Sequence, residues 1–185
     1  MSVQFLMRAA GAALVIAGAS GCGWWQACQY RRRLKELEQL RQMIFLLKGQ
    51  ILYANAPLSE AFEAVGRRSE GRLARMFTDV AARIEGQQGE PFSEIWSEET
   101  ERLAGQDGEK EADATALTKE DRQSLAALGK HLGFLDKEAQ ERTLLLYLEQ
   151  LEEQTASLRE HRQERCRLYT SLGVMGGMFL AILLV

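Results

Sequence analysis

The chain has 185 residues, of which 46% are hydrophobic and 26% charged, and its net charge is −3. This length suits one modest domain. Basic and acidic residues alternate without forming a broad positive face, which argues against a nucleic-acid-binding role. Only Arg8 is charged before Arg31, and no charge follows Arg167, so a charged middle separates two apolar ends.

The first predicted element is an N-terminal transmembrane helix over residues 1–30. Ala9 to Tyr30 are 22 consecutive uncharged residues, and as a helix they would cover the hydrocarbon layer of about 30 Å. Trp24, Trp25 and Tyr30 form an aromatic belt at the end of the run. The three arginines that follow favour keeping the next residues in the cytoplasm.

An exported lipoprotein with a helical binding domain is the alternative. Residues 19–22 read Ala-Ser-Gly-Cys, which resembles a lipoprotein cleavage box after a short apolar stretch. Only Arg8 precedes that stretch, and the triple arginine behind it opposes export. The three cysteines form neither an even disulfide framework nor a CxxC pair.

The middle of the chain has helical rather than strand periodicity. The first long helix runs from about residue 26 to residue 53, with apolar residues alternately three and four apart, as in a two-helix seam: Leu37, Leu40, Ile44, Leu47 and Ile51. Further apolar residues beside the seam predict burial on more than one side of this helix: Met43, Phe45, Leu46 and Leu52.

Three short helices and a loop are predicted next. Pro57 ends the first helix, and residues 59–67 and 71–84 form the second and third, the third ending at Gly86. Pro91 opens the fourth helix, consistent with the preference of proline for a first turn. Residues 105–117 are rich in glycine and acids and are expected to be a mobile loop.

Thr118 and Asp121 resemble a capping box, which predicts the start of the fifth helix. Gly133 closes this helix, and Asp136 caps the sixth, whose apolar residues are Leu144, Leu145, Leu148 and Leu151. No helix breaker follows, so the sixth helix is expected to continue to the C-terminus.

The last predicted element is a C-terminal transmembrane helix over residues 168–185, which at 18 residues is near the lower limit for a span. Four arginines precede it: Arg159, Arg162, Arg165 and Arg167. If the two long helices pair antiparallel, facing positions have numbers that sum to about 194. The predicted fold is all-α, a small bundle of about six helices on a two-helix stalk between two transmembrane helices, with 31–167 as the cytoplasmic domain.

Both predicted spans carry small residues at helical spacing. Ala9, Ala13, Ala17 and Gly21 lie four apart, and Gly173 and Gly177 form a GxxxG pair with Gly176 beside it. Such faces allow close helix packing in lipid. The alternative, that glycine is simply frequent in membrane helices, remains open.

The sequence contains no recognisable catalytic or metal-binding constellation. His131 and His161 lie in no HxxxH or ExxH motif, and no phosphate-binding loop or nucleophile motif is present. The acids Glu98, Glu99 and Glu101 are interpreted as a solvated helix face. We therefore expect a membrane-anchored interaction protein without enzymatic activity, cofactor or small-molecule substrate.

Three segments resemble the stage III sporulation protein AB family of endospore-forming bacteria: QILYANAPLSEAF (50–62), LTKEDRQSLAALGKHLGFLDKEAQ (117–140) and the closing span LYTSLGVMGGMFLAILLV. Gln50 and Ala56 depart from the family pattern, which has an acid and a threonine there. The matching motif residues are Tyr53, Pro57, Leu58, Glu60, Ala61, Glu120, Asp121, Leu128, Gly129, Leu132, Gly133, Asp136 and Gln140.

The resemblance implies a subunit of the channel complex in the membranes between mother cell and forespore. Its helical domain would resemble the inner-membrane platform proteins of type II secretion and type IV pilus machines. The implied partners are the membrane, a secretion-type ATPase and other channel subunits, with a homo-oligomer as a further expectation. The implied location is the mother-cell side, in the outer forespore membrane, with the middle domain in the cytoplasm.

Overall fold

A computed structural model describes residues 2–86, 89–105, 115–133 and 137–184 of the chain. Within 2–23 and 162–184, side chains are described only for Gly18, Gly21, Ser171 and Met175, and that of His131 is left out. The described residues form six helices and no strand, which confirms the predicted all-α class: α1 (Ser2–Leu52), α2 (Leu58–Arg67), α3 (Gly71–Glu85), α4 (Phe92–Arg102), α5 (Lys119–Leu132) and α6 (Lys137–Leu184).

The helix boundaries follow the local signals in the sequence. Pro57 and Pro91 are the N-caps of α2 and α4. Proline is tolerated at the start of a helix because a backbone N–H at that position has no partner within the helix. Gly86 and Gly133 are the C-caps of α3 and α5. The predicted cap at Asp136 lies outside the described residues.

The chain divides into two compact units, one of residues 35–156 and one of residues 1–34 with 157–185. In the first unit, α2, α3 and α4 bring four aromatic rings together, three of them buried and that of Phe92 half-buried. Phe62 lies 5.2 Å from Phe77, 5.7 Å from Phe92 and 5.3 Å from Trp96, measured between ring centroids. Such tilted contacts between large apolar rings make this cluster the centre of the core.

The seam predicted on α1 is buried. Leu37, Leu40, Ile44 and Leu47 have no exposed surface, and Ile51 is 5% exposed. The predicted burial of Phe45 is wrong, because its side chain is 60% exposed. Phe45 follows Ile44 by one residue, which turns it about 100° away from the seam.

On α6, the buried residues are Leu144, Tyr147, Leu151 and Thr155, again three or four apart. Leu145 was predicted to join them, but it is 45% exposed. Arg41 of α1 forms an ion pair with Glu152 of α6. This pair lies within one residue of the predicted antiparallel register.

The second unit contains the two ends of the chain. The Tyr30 hydroxyl of α1 donates a hydrogen bond of 3.0 Å to the backbone carbonyl of Leu158 in α6. Ala27 and Leu34 are buried on the same helix. In the parts of the chain that the structure describes, no helix reaches the length and apolarity that a membrane crossing requires.

Residues 115–117, at the end of the predicted loop, are held against α1. The carboxylate of Glu36 accepts hydrogen bonds from the Thr115 hydroxyl at 2.5 Å and from the Ala116 amide at 3.0 Å. Leu117 is 3% exposed. These contacts join residues 115–117 to α1, whereas residues 106–114 lie outside the described part, and the mobility of the loop stays a prediction.

Candidate interaction surface

Most of the motif residues that contact other helices belong to the hydrophobic core or fix the ends of a helix. Leu128 and Leu132 on α5 are buried, as is Ala61 on α2. Gly129 lies directly against the indole of Trp96, so a Cβ built on this glycine would come within 1.9 Å of the ring. The glycine is therefore required by the close approach of α5 to α4, which the sequence pattern alone did not show.

Trp96 is fixed from several sides. It has no exposed surface, and its indole N–H donates a 2.7 Å hydrogen bond to the backbone carbonyl of Leu125. That carbonyl lies one turn before Gly129 on α5. The indole thus joins the aromatic cluster to the backbone of α5.

The predicted capping box at the start of α5 is confirmed. The Thr118 hydroxyl accepts a hydrogen bond from the Asp121 amide at 3.3 Å, and the Asp121 carboxylate accepts one from the Thr118 amide at 2.9 Å. Asp121 is 3% exposed, whereas its neighbour Glu120 is exposed. In this capping box Asp121 accepts the bond from the N-cap amide, a position at which Glu or Gln is more common.

The end of α5 is also fixed by motif residues. The Gln140 side chain donates a 2.9 Å hydrogen bond to the Leu132 carbonyl, which is one of the terminal carbonyls that a helix leaves without an internal partner. A Cβ on Gly133 would lie 3.2 Å from Phe92. These contacts join the start of α6 and the start of α4 to the same helix end.

The remaining motif residues lie at the turn between α1 and α2. Tyr53 is 77% exposed, and Pro57 and Glu60 are also exposed, while Leu58 is half-buried. We call Tyr53, Pro57 and Glu60 the turn surface. These exposed side chains contribute little to the core and lie within eight residues of one another in the chain, whereas the exposed Glu120 has no exposed motif residue near it. They are therefore the motif residues best placed to contact another protein.

The turn that carries this surface has a defined backbone. Asn55 adopts a left-handed conformation with φ of 52°, which asparagine tolerates better than most residues. Its side-chain oxygen accepts a hydrogen bond from Lys137 at the start of α6. The turn surface is thus linked to the first turn of α6.

An ionic cluster with one buried carboxylate lies between α3 and α4. Arg83 contacts Glu90 at 2.7 Å, Glu98 at 2.9 Å and Glu99 at 3.0 Å, and Arg102 contacts Glu99 at 2.6 Å. The prediction that Glu99 lies on a solvated face is wrong, because Glu99 is only 3% exposed. The hydrogen bonds to Glu90 and Glu99 raise the pKa of the Arg83 guanidinium above its ordinary value.

The ion pairs of this cluster join α3 to α4. Two arginines surround the buried carboxylate, so its charge is compensated where it lies. Among the described side chains, no three histidine, cysteine, aspartate or glutamate residues are placed to hold a metal ion.

The predicted membrane-packing residues fall mostly outside the described side chains. Gly21 is the exception, and nothing described lies within 4 Å of a Cβ built on it. The packing role of Gly21 and of the other small residues therefore stays a prediction.

Comparisons with known proteins agree with the resemblance seen in the sequence. The model of the stage III sporulation protein AB family matches residues 8–185. Stage III sporulation protein AB of Bacillus subtilis (strain 168) is 21% identical over 180 residues, which cover 97% of this chain and 100% of that protein. A solved structure of stage III sporulation protein AB has a TM-score of 0.62 and 20% identity, covering 72% of this chain and 98% of its own.

Proposed function

Because the chain belongs to the stage III sporulation protein AB family, we propose that it is a non-enzymatic platform subunit of a secretion-like channel complex in endospore formation. In this role it is anchored in the membrane between mother cell and forespore and couples a cytoplasmic ATPase to the membrane subunits. The helical unit of residues 35–156 is the part that meets cytoplasmic partners, and the turn surface is its contact for the ATPase.

The observation that carries the proposal is the match of the family model to residues 8–185, and the extent of the two long helices supports the membrane anchor. α1 includes the whole uncharged run from Ala9 to Tyr30, and α6 includes nearly all of the final run from Leu168. A helix satisfies its own backbone hydrogen bonds, which is the condition for entering lipid. The arginines beside both runs support placing residues 35–156 in the cytoplasm.

The same helix bounds weigh against the lipoprotein alternative. Residues 19–22 lie inside α1, thirty residues before its end at Leu52. Cleavage before Cys22 would cut this helix and remove the first predicted span. The platform role explains both apolar ends, whereas the lipoprotein explains only the first.

Cysteine accessibility tests the orientation. The three native cysteines are changed to serine, and a single cysteine is placed at Gln123, an exposed position on α5. We expect a membrane-impermeant maleimide to label this residue only after the sporulating cells are permeabilised. Labelling in intact cells would contradict the cytoplasmic placement and would favour export.

A matched pair of aromatic substitutions tests the turn surface. Tyr53→Ala is expected to reduce co-purification of the ATPase with the full chain, because it removes a large exposed side chain from the proposed contact. Phe45→Ala is the control. Phe45 is also an exposed aromatic residue, but it lies on α1 about two turns before Tyr53 and belongs to no motif. Equal recovery of the ATPase with both variants would contradict the assignment of the turn surface.

A further inference from the structure

An open groove of about 410 Å³ lies beside α1 in the unit of residues 35–156. One wall is a face of α1 that extends from Lys35 to Leu46, and the other is the α2–α3 turn at Arg68 to Gly71. The α1 wall covers eleven residue steps, or about 17 Å along the helix. About five residues of extended chain span that length.

The groove is held in shape by the protein itself. Met43, in its floor, is 1% exposed. The side-chain amide of Gln39 donates a 2.5 Å hydrogen bond to the backbone carbonyl of Glu70, which ties the α2–α3 turn to α1. A ligand entering the groove therefore meets walls that need little further ordering.

The polar groups of the groove are available to a ligand. Lys35 and Arg68 are exposed, and neither side chain has an ion-pair or hydrogen-bond partner among the described residues. The side-chain amide of Gln42 likewise has none in the described part of the chain. Arg67, next to Arg68, pairs with Glu63 on its own helix.

We propose that this groove docks a short acidic segment of a partner protein, in which an apolar side chain lies between two carboxylates. The apolar side chain contacts Leu46, and the carboxylates pair with Lys35 on one wall and Arg68 on the other. The amide of Gln42 can bond both the N–H and the C=O groups of the docked backbone. Charge complementarity of this kind directs the choice of partner more than it adds affinity.

The arrangement suits a peptide better than a small anion or a membrane. The two cations lie on opposite walls, and Glu70 beside Arg68 repels a compact multivalent anion. A peptide can place its carboxylates apart and leave Glu70 facing solvent. A flat lipid surface does not enter a groove between two walls. The proposal does not depend on the ATPase contact at the turn surface, which uses other residues.

Photo-crosslinking in sporulating cells tests the proposal with the full chain. A benzophenone amino acid replaces Ser69, which lines the groove but takes no part in the proposed contacts, and the crosslinked partner peptide is sequenced by mass spectrometry. We expect one partner segment with at least two acidic residues around an apolar one. Arg68→Glu and Lys35→Glu should each lower the adduct yield about fivefold, because each turns an attraction into a repulsion.

Two further variants separate the groove from general charge effects. Glu70→Gln should raise the adduct yield, since it removes the only acid that lines the described groove. Arg75→Glu makes the same charge change at an exposed position of α3 outside the groove and should leave the yield unchanged. Thermal unfolding of the purified variants confirms that all four retain the fold. The proposal is wrong if no protein adduct forms, if the adduct is lipid or a segment without net negative charge, or if Arg68→Glu behaves like Arg75→Glu.

Discussion

Substitution of Gly129 by alanine is expected to destabilise the protein, although the same change usually favours a helix. An added Cβ would lie 1.9 Å from Cδ1 and 2.2 Å from Cγ of Trp96, distances that atoms cannot adopt. Trp96 cannot move freely, because Phe62, Phe77 and Phe92 surround its ring and Leu125 accepts its N–H. Either the indole or helix α5 must shift.

The size of the effect follows from three contributions. Overpacking a close contact costs about 1–3 kcal/mol, and loss of the buried hydrogen bond from the indole costs about 1–3 kcal/mol more. The higher helix propensity of alanine stabilises the folded state by about 1 kcal/mol. The net free energy of unfolding should fall by about 3 kcal/mol, which for a domain of this size lowers the melting temperature by about 6–12 °C.

Circular dichroism of the full chain in detergent measures this change. Gly49→Ala is the control, because Gly49 is also helical and nothing lies within 4 Å of its added Cβ; this variant should melt at or slightly above the wild-type temperature. In a Trp96→Phe background, Gly129→Ala should cost less, since the smaller ring leaves room for the methyl group. If Gly129→Ala melts no lower than the wild type, the close approach of α5 to Trp96 is not the reason for this glycine.

Three further changes test individual contacts in the same melting assay. Glu99→Gln should lower the free energy of unfolding by about 2–3 kcal/mol, because it removes a buried carboxylate shared by Arg83 and Arg102. Glu98→Gln is the control and should cost less than about 0.5 kcal/mol, because this carboxylate of the Arg83 pair is exposed. Equal losses for the two variants would show that the ion pairs of Glu99 do not stabilise the fold. Thr118→Ala should cost about 1 kcal/mol and Thr118→Ser much less, because only the first removes the hydroxyl of the capping box; similar losses for the two would argue against the cap. Burial, and secondarily the charge of Asp121, raise the pKa of Tyr147, so its contribution to stability is complete below the unfolded pKa of about 10 and is lost as pH rises towards the folded pKa. The wild type should therefore lose stability between pH 10 and 11 faster than Tyr147→Phe, and parallel losses would show that Tyr147 ionises freely in the fold.

The sequence predicts the helices well because their signals are local. Proline before α2 and α4, glycine after α3 and α5, and the Thr118 capping box each act through the backbone of a few neighbouring residues. The seam on α1 was predicted for the same reason, since a repeat of three and four requires only the geometry of one helix. None of these features depends on which element lies opposite.

The failures have the opposite origin. Glu99 resembled its neighbours Glu98 and Glu101 in sequence, and only the position of Arg83 on another helix makes its burial possible. Phe45 was expected inside because it is apolar, yet its side of α1 is not covered by any described element. The burial of Glu99 and the exposure of Phe45 both depend on how the helices pack together, which the periodicity of a single helix does not predict.

The motif residues illustrate the same limit for function. The resemblance presented them as one set, but burial divides them into residues that build the core and residues that face solvent. Gly129 and Asp121 belong to the first group, and their substitution would impair any function by way of stability. Tyr53 faces solvent, and its one described contact is a backbone hydrogen bond to Gly49. A sporulation defect from Tyr53→Ala at unchanged melting temperature would therefore report on a partner, whereas the same defect from Gly129→Ala would report on the fold.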